Sequence, residues 1–311
     1  MEKKLIRTIV VFLFMAGFLA WIGFYIKNHL VEFQDIRFLS WGNILIILVL
    51  TLAYFIVQGL ILKSILEPFK IQLPFKEWFG LTMITLLGNY LIPFGGLGFR
   101  ATYLKKRYLF DYTHFLSTLA AITVIEFLIF TLAGAVALFY LFFQANFFDP
   151  VLTILLGSVL SICLAIIFFP LRFKSSKNKI LMRFGNLLKS WYSLKRDRSL
   201  IKKIIGLTFW EFVFYSAIFY FSFRVFNLSI SWFESFLFSS LSDYSLFIRL
   251  LPASLGFYEG AVVYVAKLLG FTVAQGLLVM AVIRFASIVW IFTFGLFFSY
   301  ILLRSKSKNL R

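Results

Sequence analysis

An all-α, polytopic integral membrane protein is the fold class this sequence predicts: an inverted-repeat helical bundle with two re-entrant helical hairpins. Three observations carry that expectation. Of the 311 residues, 61% are hydrophobic and only 14% charged, more apolar surface than a soluble chain of this length can bury. The basic residues behind the net charge of +18 cluster in short stretches between apolar runs, as the positive-inside rule describes. Two apolar runs are broken by proline and glycine, at "PFGGLG" (93–98) and "PASLGFYEG" (252–260).

The chain reads as one membrane domain, 1–311, with half-repeats 1–143 and 151–303. A first span covers 5–26; it exceeds a signal-peptide core and lacks a small-residue cleavage site, so it is expected to remain as an anchor. A second span covers 43–66, followed by an interrupted pair, 78–92 and 98–110. Further spans cover 114–143, 151–170 and 204–225, then a second interrupted pair, 233–251 and 257–270, and a last span, 274–303. Of the 31 lysines and arginines, 25 fall in 1–7, 63–78, 100–107, 171–203 and 303–311. The connections 27–42 and 144–150 carry two and none. Both termini are therefore expected on the cytoplasmic side of a bacterial inner membrane.

The stretch 78–110 runs from one basic segment to another, Lys105-Lys106-Arg107, so both its ends are expected on one side. A helix of about 15 residues, at 1.5 Å per residue, reaches only part of the way across a hydrocarbon core ~30 Å thick. This favours a re-entrant hairpin with "PFGGLG" as its tip, since backbone leaving a helix at that depth must be buried in protein or line a wet cavity. A glycine-rich loop at the membrane surface is the alternative.

The break recurs. Setting Leu97-Gly98-Phe99 on Leu255-Gly256-Phe257 brings Pro93 to Pro252 with one residue of slippage. The same offset of 158 carries Glu126 onto Arg284. The span count puts the second hairpin's ends on the outer face, so the halves are expected upside down relative to each other. Broken helices at matching positions of inverted repeats point to a transporter's substrate site. Seven charges, Glu126, Glu211, Asp243, Arg249, Glu259, Lys267 and Arg284, fall within or beside apolar runs. Each costs ~2.5–3.5 kcal/mol at a helix centre and is expected to be paired or wetted. Either Glu126 meets Arg284 across the two-fold axis, or each pairs locally, Glu126 with Arg100 and Arg284 with Asp243 or Glu259. A role in helix packing alone is a further alternative.

Helix N-termini near the midplane would offer N–H groups and positive dipole ends to an anion. Gly95, Gly96 and Gly98 would let an oxygen-rich group approach the backbone. Arg100, Arg249 and Arg284 carry the planar fork suited to phosphate. Together with Pro93, Pro252, Gly256, Glu126, Glu211, Asp243 and Glu259, they form the expected binding set for a membrane lipid's head group. No catalytic residue, metal or cofactor is expected. Cys163 is the single cysteine, and His29 and His114 are the two histidines, which excludes a disulfide framework and a cysteine-rich metal site. "GGLG" is not followed by Gly-Lys-Ser/Thr, so it is not a phosphate loop. The basic excess flanks apolar spans, and nucleic acid is not expected as a partner.

The pairing of "NYLIPFGGLGFRATYL" with "LPASLGFYEGAVVYVAKLLG" resembles the lysylphosphatidylglycerol synthase transmembrane family. This is the flippase-like region that precedes the synthase domain in the bacterial multiple peptide resistance factor. The resemblance spans roughly 5–303. Pro93, Gly95, Gly96, Gly98 and Arg100 match its first motif, and Pro252, Leu255, Gly256 and Glu259 its second. Ala253-Ser254 stand where many relatives have glycines. The resemblance implies a part in moving an anionic or aminoacylated phospholipid, such as lysylphosphatidylglycerol, to the outer leaflet, which in the family confers antimicrobial peptide resistance. The family's lysyltransferase domain is not expected here, because the chain ends at Arg311.

Residues 171–203 read as a basic amphipathic cytoplasmic connection. Ile180, Phe184, Leu187, Trp191 and Leu194 recur at helical spacing, with Lys179, Arg183 and Lys189 opposite, which suits a helix lying on anionic head groups. Obedience to the positive-inside rule alone would also explain its charge. The expected function is a phospholipid flippase or scramblase. The alternatives are a non-catalytic membrane partner of a lipid-modifying enzyme acting in trans, and a membrane-embedded enzyme on a lipid-linked substrate. Against the last, Glu126, Glu211 and Asp243 are scattered along the chain rather than set in one short motif.

Overall fold

The computed structural model describes residues 24, 27–28, 40–168, 197–247 and 254–308. The described residues contain no strand. Most of the span at 5–26, the stripe from Ile180 to Leu194, and Arg249 and Pro252 lie outside them.

Helix α1 (Trp41–Leu66) opens on Ser40, whose Oγ accepts the Asn43 N–H at 3.2 Å, a cap for one of the free donors of a helix start. It is apolar on every side, as suits a helix surrounded by protein and lipid. A 3-10 turn at Glu67–Phe69 and a left-handed Lys70 end it. Helix α2 (Phe75–Leu91) stops where Pro93 dictates: Ile92 is extended, at φ −141° and ψ 132°, because proline disfavours the helical region for the residue before it. Phe94 then adopts a left-handed φ of 60°, and α3 (Gly95–Tyr108) begins at once.

The chain reverses within three residues, so α2 and α3 form a tight antiparallel hairpin. It is closed at three levels. At the tip, the Gly96 N–H donates to Asn89 Oδ1 at 3.1 Å. In the middle, Arg100 Nε donates to Thr85 Oγ1 at 2.9 Å. At the base, Arg107 is ion-paired with Glu77 at 2.8 Å, and the Tyr108 hydroxyl donates to the same carboxylate. "GGLG" is thus the first turn of a helix rather than a loop. Glycine is required at 96 because a Cβ there would stand 1.7 Å from the Thr85 carbonyl oxygen.

Helices α4 (Tyr112–Ala145), α5 (Pro150–Phe168) and α6 (Arg198–Val225) follow, then α7 (Trp232–Phe247), α8 (Phe257–Leu268) and α9 (Val273–Lys308). Two of these starts are reciprocal capping boxes. Ser231 and Glu234 bond each other's N–H ahead of α7, and Thr272 and Gln275 do so ahead of α9. Asp197 Oδ1 accepts the Leu200 N–H at 3.0 Å, so α6 starts at Arg198, before the 204 that hydropathy predicts. Among the described residues, α1, α4, α5, α6 and α9 are long and apolar enough to cross a membrane. The protein is a multi-pass, all-helical membrane protein.

Packing follows a two-fold pattern. Helix α1 lies along α6 at the centre; α2 packs on α9, and α4 packs on α7. Exchanging α1 with α6, α2 with α7, α3 with α8 and α4 with α9 leaves this pattern unchanged. The exchanged helices begin close to the offset of 158 that relates Glu126 to Arg284. In lipid, helices associate through small residues and interhelical hydrogen bonds rather than a hydrophobic drive. Accordingly, two buried serines of α7 bond outward: Ser240 Oγ to the Phe130 carbonyl at 2.6 Å, and Ser239 Oγ to Ser216 Oγ at 2.9 Å. Aromatic rings fill the rest, with Tyr54 of α1 stacked on Tyr215 of α6 at 5.3 Å, and Phe79 of α2 edge-on to Phe294 of α9.

Candidate functional site: two adjoining cavities between the helix breaks

Ser254, Leu255 and Gly256 lead directly into α8. Gly256 has a φ of 85°, a conformation that only glycine adopts without strain. Its N–H donates to Glu259 Oε2 at 2.7 Å. The other oxygen, Oε1, receives Arg284 of α9, at 2.6 Å from Nε and 2.5 Å from a terminal nitrogen. Arg284 also lies over the Tyr258 ring at 5.4 Å. One carboxylate therefore fixes both the start of α8 and the arginine. Of the partners considered for Arg284, the local Glu259 is the one it takes.

Arg284 stands in the wall of a cavity of about 150 Å³. Pro93 and Phe94 from the first break line it, as do Ser254 and Tyr258 from the second. Both breaks thus face one space. A second cavity, of about 230 Å³, adjoins it, and Tyr54, Gln58, Leu86, Asn89 and Phe94 belong to both walls. The second holds Arg100 of α3 together with Glu126 of α4, Glu211 of α6 and Asp243 of α7. Three acids far apart in sequence thus meet in one compartment.

Residues 5–295 match the family described as "Lysylphosphatidylglycerol synthase TM region". The chain belongs to this family. No curated protein and no solved structure gave a match. In this member of the lysylphosphatidylglycerol synthase TM family, the expected site residues divide three ways. Pro93 and Arg284 face the first cavity; Arg100, Glu126, Glu211 and Asp243 face the second. Glu259 and Gly256 act behind the first wall. Arg249 and Pro252 are outside the described residues, and Lys267 is exposed.

Two of the three glycines of the first break have a packing role. Gly96 is spent on the approach of α3 to α2, and Gly95 packs on Gly88, with only Gly98 facing open space. The first N–H groups of α3 are also largely engaged: Gly95 with Ile92, Gly96 with Asn89 and Gly98 with Phe94. An anion here would meet side chains before bare backbone.

Several contributors escape a search for charges in apolar runs. Gln58 donates to the Tyr54 hydroxyl at 2.9 Å, and the Tyr215 hydroxyl donates to that of Tyr258 at 2.6 Å. Gln58 within an apolar span and Asn89 beside the break were the available signals. Glu77, which closes the hairpin base, is masked in sequence by its place at the edge of a basic stretch.

Proposed function

We propose that this protein is a phospholipid flippase or scramblase of the bacterial inner membrane, passing an anionic or aminoacylated head group through the chamber between the two helix breaks. One observation carries the reading: Pro93 and Phe94 from one break share a cavity with Ser254 and Tyr258 from the other, with Arg284 in its wall. Broken helices meeting at one polar chamber are the arrangement by which repeat-built carriers expose a site to either side. The two-fold packing of α1–α4 against α6–α9 supports it. In this reading the hairpins are re-entrant, the halves are inserted upside down, and both termini are cytoplasmic. Arg284, held flat by Glu259 and Tyr258, presents its guanidinium to the lipid phosphate. The acyl chains stay outside, against the apolar faces of the bundle. The chain acts as carrier and not as lysyltransferase, and a lipid-modifying enzyme in trans would supply the lipid. Membership of the lysylphosphatidylglycerol synthase TM family supports a lipid-related role.

A second reading draws on the convergence of Glu126, Glu211 and Asp243, which removes the objection that these acids are scattered: a membrane-embedded enzyme using them as acid and base. The two readings separate in proteoliposomes with fluorescent lipid reporters. The carrier accelerates head-group access to an outside quencher without changing the lipid, and Arg284→Ala slows it. No acceleration with any anionic or aminoacylated phospholipid would defeat the carrier reading, and a chemically altered lipid would favour the enzyme.

A further inference from the structure

Of the residues shared by the two cavities, Asn89 carries donors that no neighbour uses. It sits near the end of α2 and lines the first cavity with Arg284 and the second with Arg100. Chemistry fixes how its carboxamide is turned. The Gly96 N–H is a donor, so the atom it reaches at 3.1 Å is the amide oxygen. Nδ2 is then the other arm of the planar amide, turned from that bond. Among the described residues nothing accepts from Nδ2, and it is not one of the buried polar atoms sealed without a partner. Asn89 is half-buried, so its two N–H donors are reachable from the cavity side. Gln58, the other amide in both walls, is spent on the Tyr54 hydroxyl and on Glu211.

An amide N–H pair asks for an oxygen, and the neighbours narrow which oxygen. Arg284 stands in the same first wall, where the Tyr90 hydroxyl bonds it. A phosphate has enough non-bridging oxygens to serve both side chains, and hydrogen bonds to an ionised acceptor are roughly twice as strong as neutral ones. An ammonium has no acceptor to offer Nδ2. We propose that Asn89 is a head-group contact, its Nδ2 donating to a non-bridging phosphate oxygen of the lipid in the chamber. The inference rests on the carrier reading above and deepens it. The contact falls on the part that phosphatidylglycerol and phosphatidylethanolamine share. Asn89 therefore recognises phospholipid as a class and leaves the choice among head groups to other residues. One arm of the amide holds the hairpin tip through Gly96 and the other holds the cargo, which ties the first helix break to the lipid it passes.

The test uses the full chain and begins without a variant. Asn89 is the one asparagine followed by tyrosine, so pairwise isotope labelling assigns its side-chain amide. In solid-state NMR, lipid phosphorus is expected to dephase the Asn89 Nδ2 signal in vesicles of phosphatidylglycerol and again in vesicles of phosphatidylethanolamine. No dephasing in either overturns the contact, and dephasing in only one overturns recognition of the class. Asn89→Asp keeps an oxygen for the Gly96 N–H and removes both amide donors. Its flux of each acyl-labelled phospholipid is expected to fall about tenfold, as loss of a hydrogen bond to a charged group implies, with thermal stability kept. Asn89→Ala is expected to lose stability as well. Undiminished flux in Asn89→Asp would leave Asn89 a cap for the hairpin tip only, and if that variant does not fold, the phosphorus contact decides. Absence of flux in the unaltered chain defeats the carrier reading, while the phosphorus contact still decides Asn89. Flux without that contact overturns the role of Asn89 and leaves the carrier intact.

Discussion

Arg284 and Glu259 meet at 2.5 Å between α9 and α8, and their side chains are only 16% and 9% exposed. A pair so withdrawn from solvent resists single-partner removal, because the survivor is left as an uncompensated charge. Glu259→Gln or Arg284→Met is expected to destabilise the protein by ~3–5 kcal/mol, and the double variant by clearly less than the sum. Denaturation of the purified protein in detergent, followed by intrinsic fluorescence, measures the cycle. Additive losses would show that the two side chains are energetically independent.

Gly96 and Gly98 offer a matched comparison within one helical turn. A methyl on Gly96 collides with the Thr85 backbone, whereas a methyl on Gly98 meets nothing within 4 Å. Gly96→Ala is therefore expected to cost roughly 1–3 kcal/mol through forced separation of α2 and α3. Gly98→Ala is expected to be neutral or to gain about 0.5–1 kcal/mol from reduced chain entropy. Thermal shift of the two variants side by side gives the answer.

The contact of α4 with α7 depends on Ser240, whose hydroxyl reaches the Phe130 carbonyl and whose side chain packs on Gly134. Ser240→Ala removes only the hydrogen bond and is expected to cost about 0.6–1.7 kcal/mol. Gly134→Val should be worse, since even a Cβ would approach Ser240 Oγ to 2.8 Å. An unfolding experiment that ranks Ser240→Ala above Gly134→Val in damage would contradict this packing.

The shared chamber is open to direct chemistry. With Cys163 replaced by serine, the chain has no other cysteine, and Pro93→Cys with Ser254→Cys places a thiol in each break. Because both positions line one cavity, a short bifunctional maleimide is expected to join them within a single chain. Pro93→Cys paired with a cysteine at exposed Lys203 is the negative control. Tryptic fragments that stay linked on a denaturing gel report the outcome.

Local features of this molecule were legible in its sequence; relations between helices were not. Pro93 announced the end of α2, and hydropathy placed the cores of the long apolar helices. What eluded the sequence was facing. Residue spacing tells which side of a helix a group occupies, but not which neighbour that side meets. Glu126, Glu211 and Asp243 therefore read as separate acids until α4, α6 and α7 brought them to one wall. Glycine is ambiguous for a related reason: close approach to a ligand and close approach to a neighbouring helix require the same missing side chain, and Gly96 serves the second.

The three fastenings of the α2–α3 hairpin have a mechanical consequence. Pinned at its tip by Asn89, along its middle by Thr85 and at its foot by Glu77, the pair is tied along its whole length, so any displacement would carry both helices together. Its outer seam with α9 is knitted in the same way, for Gly80 makes room for Phe298 and Gly295 for Leu87.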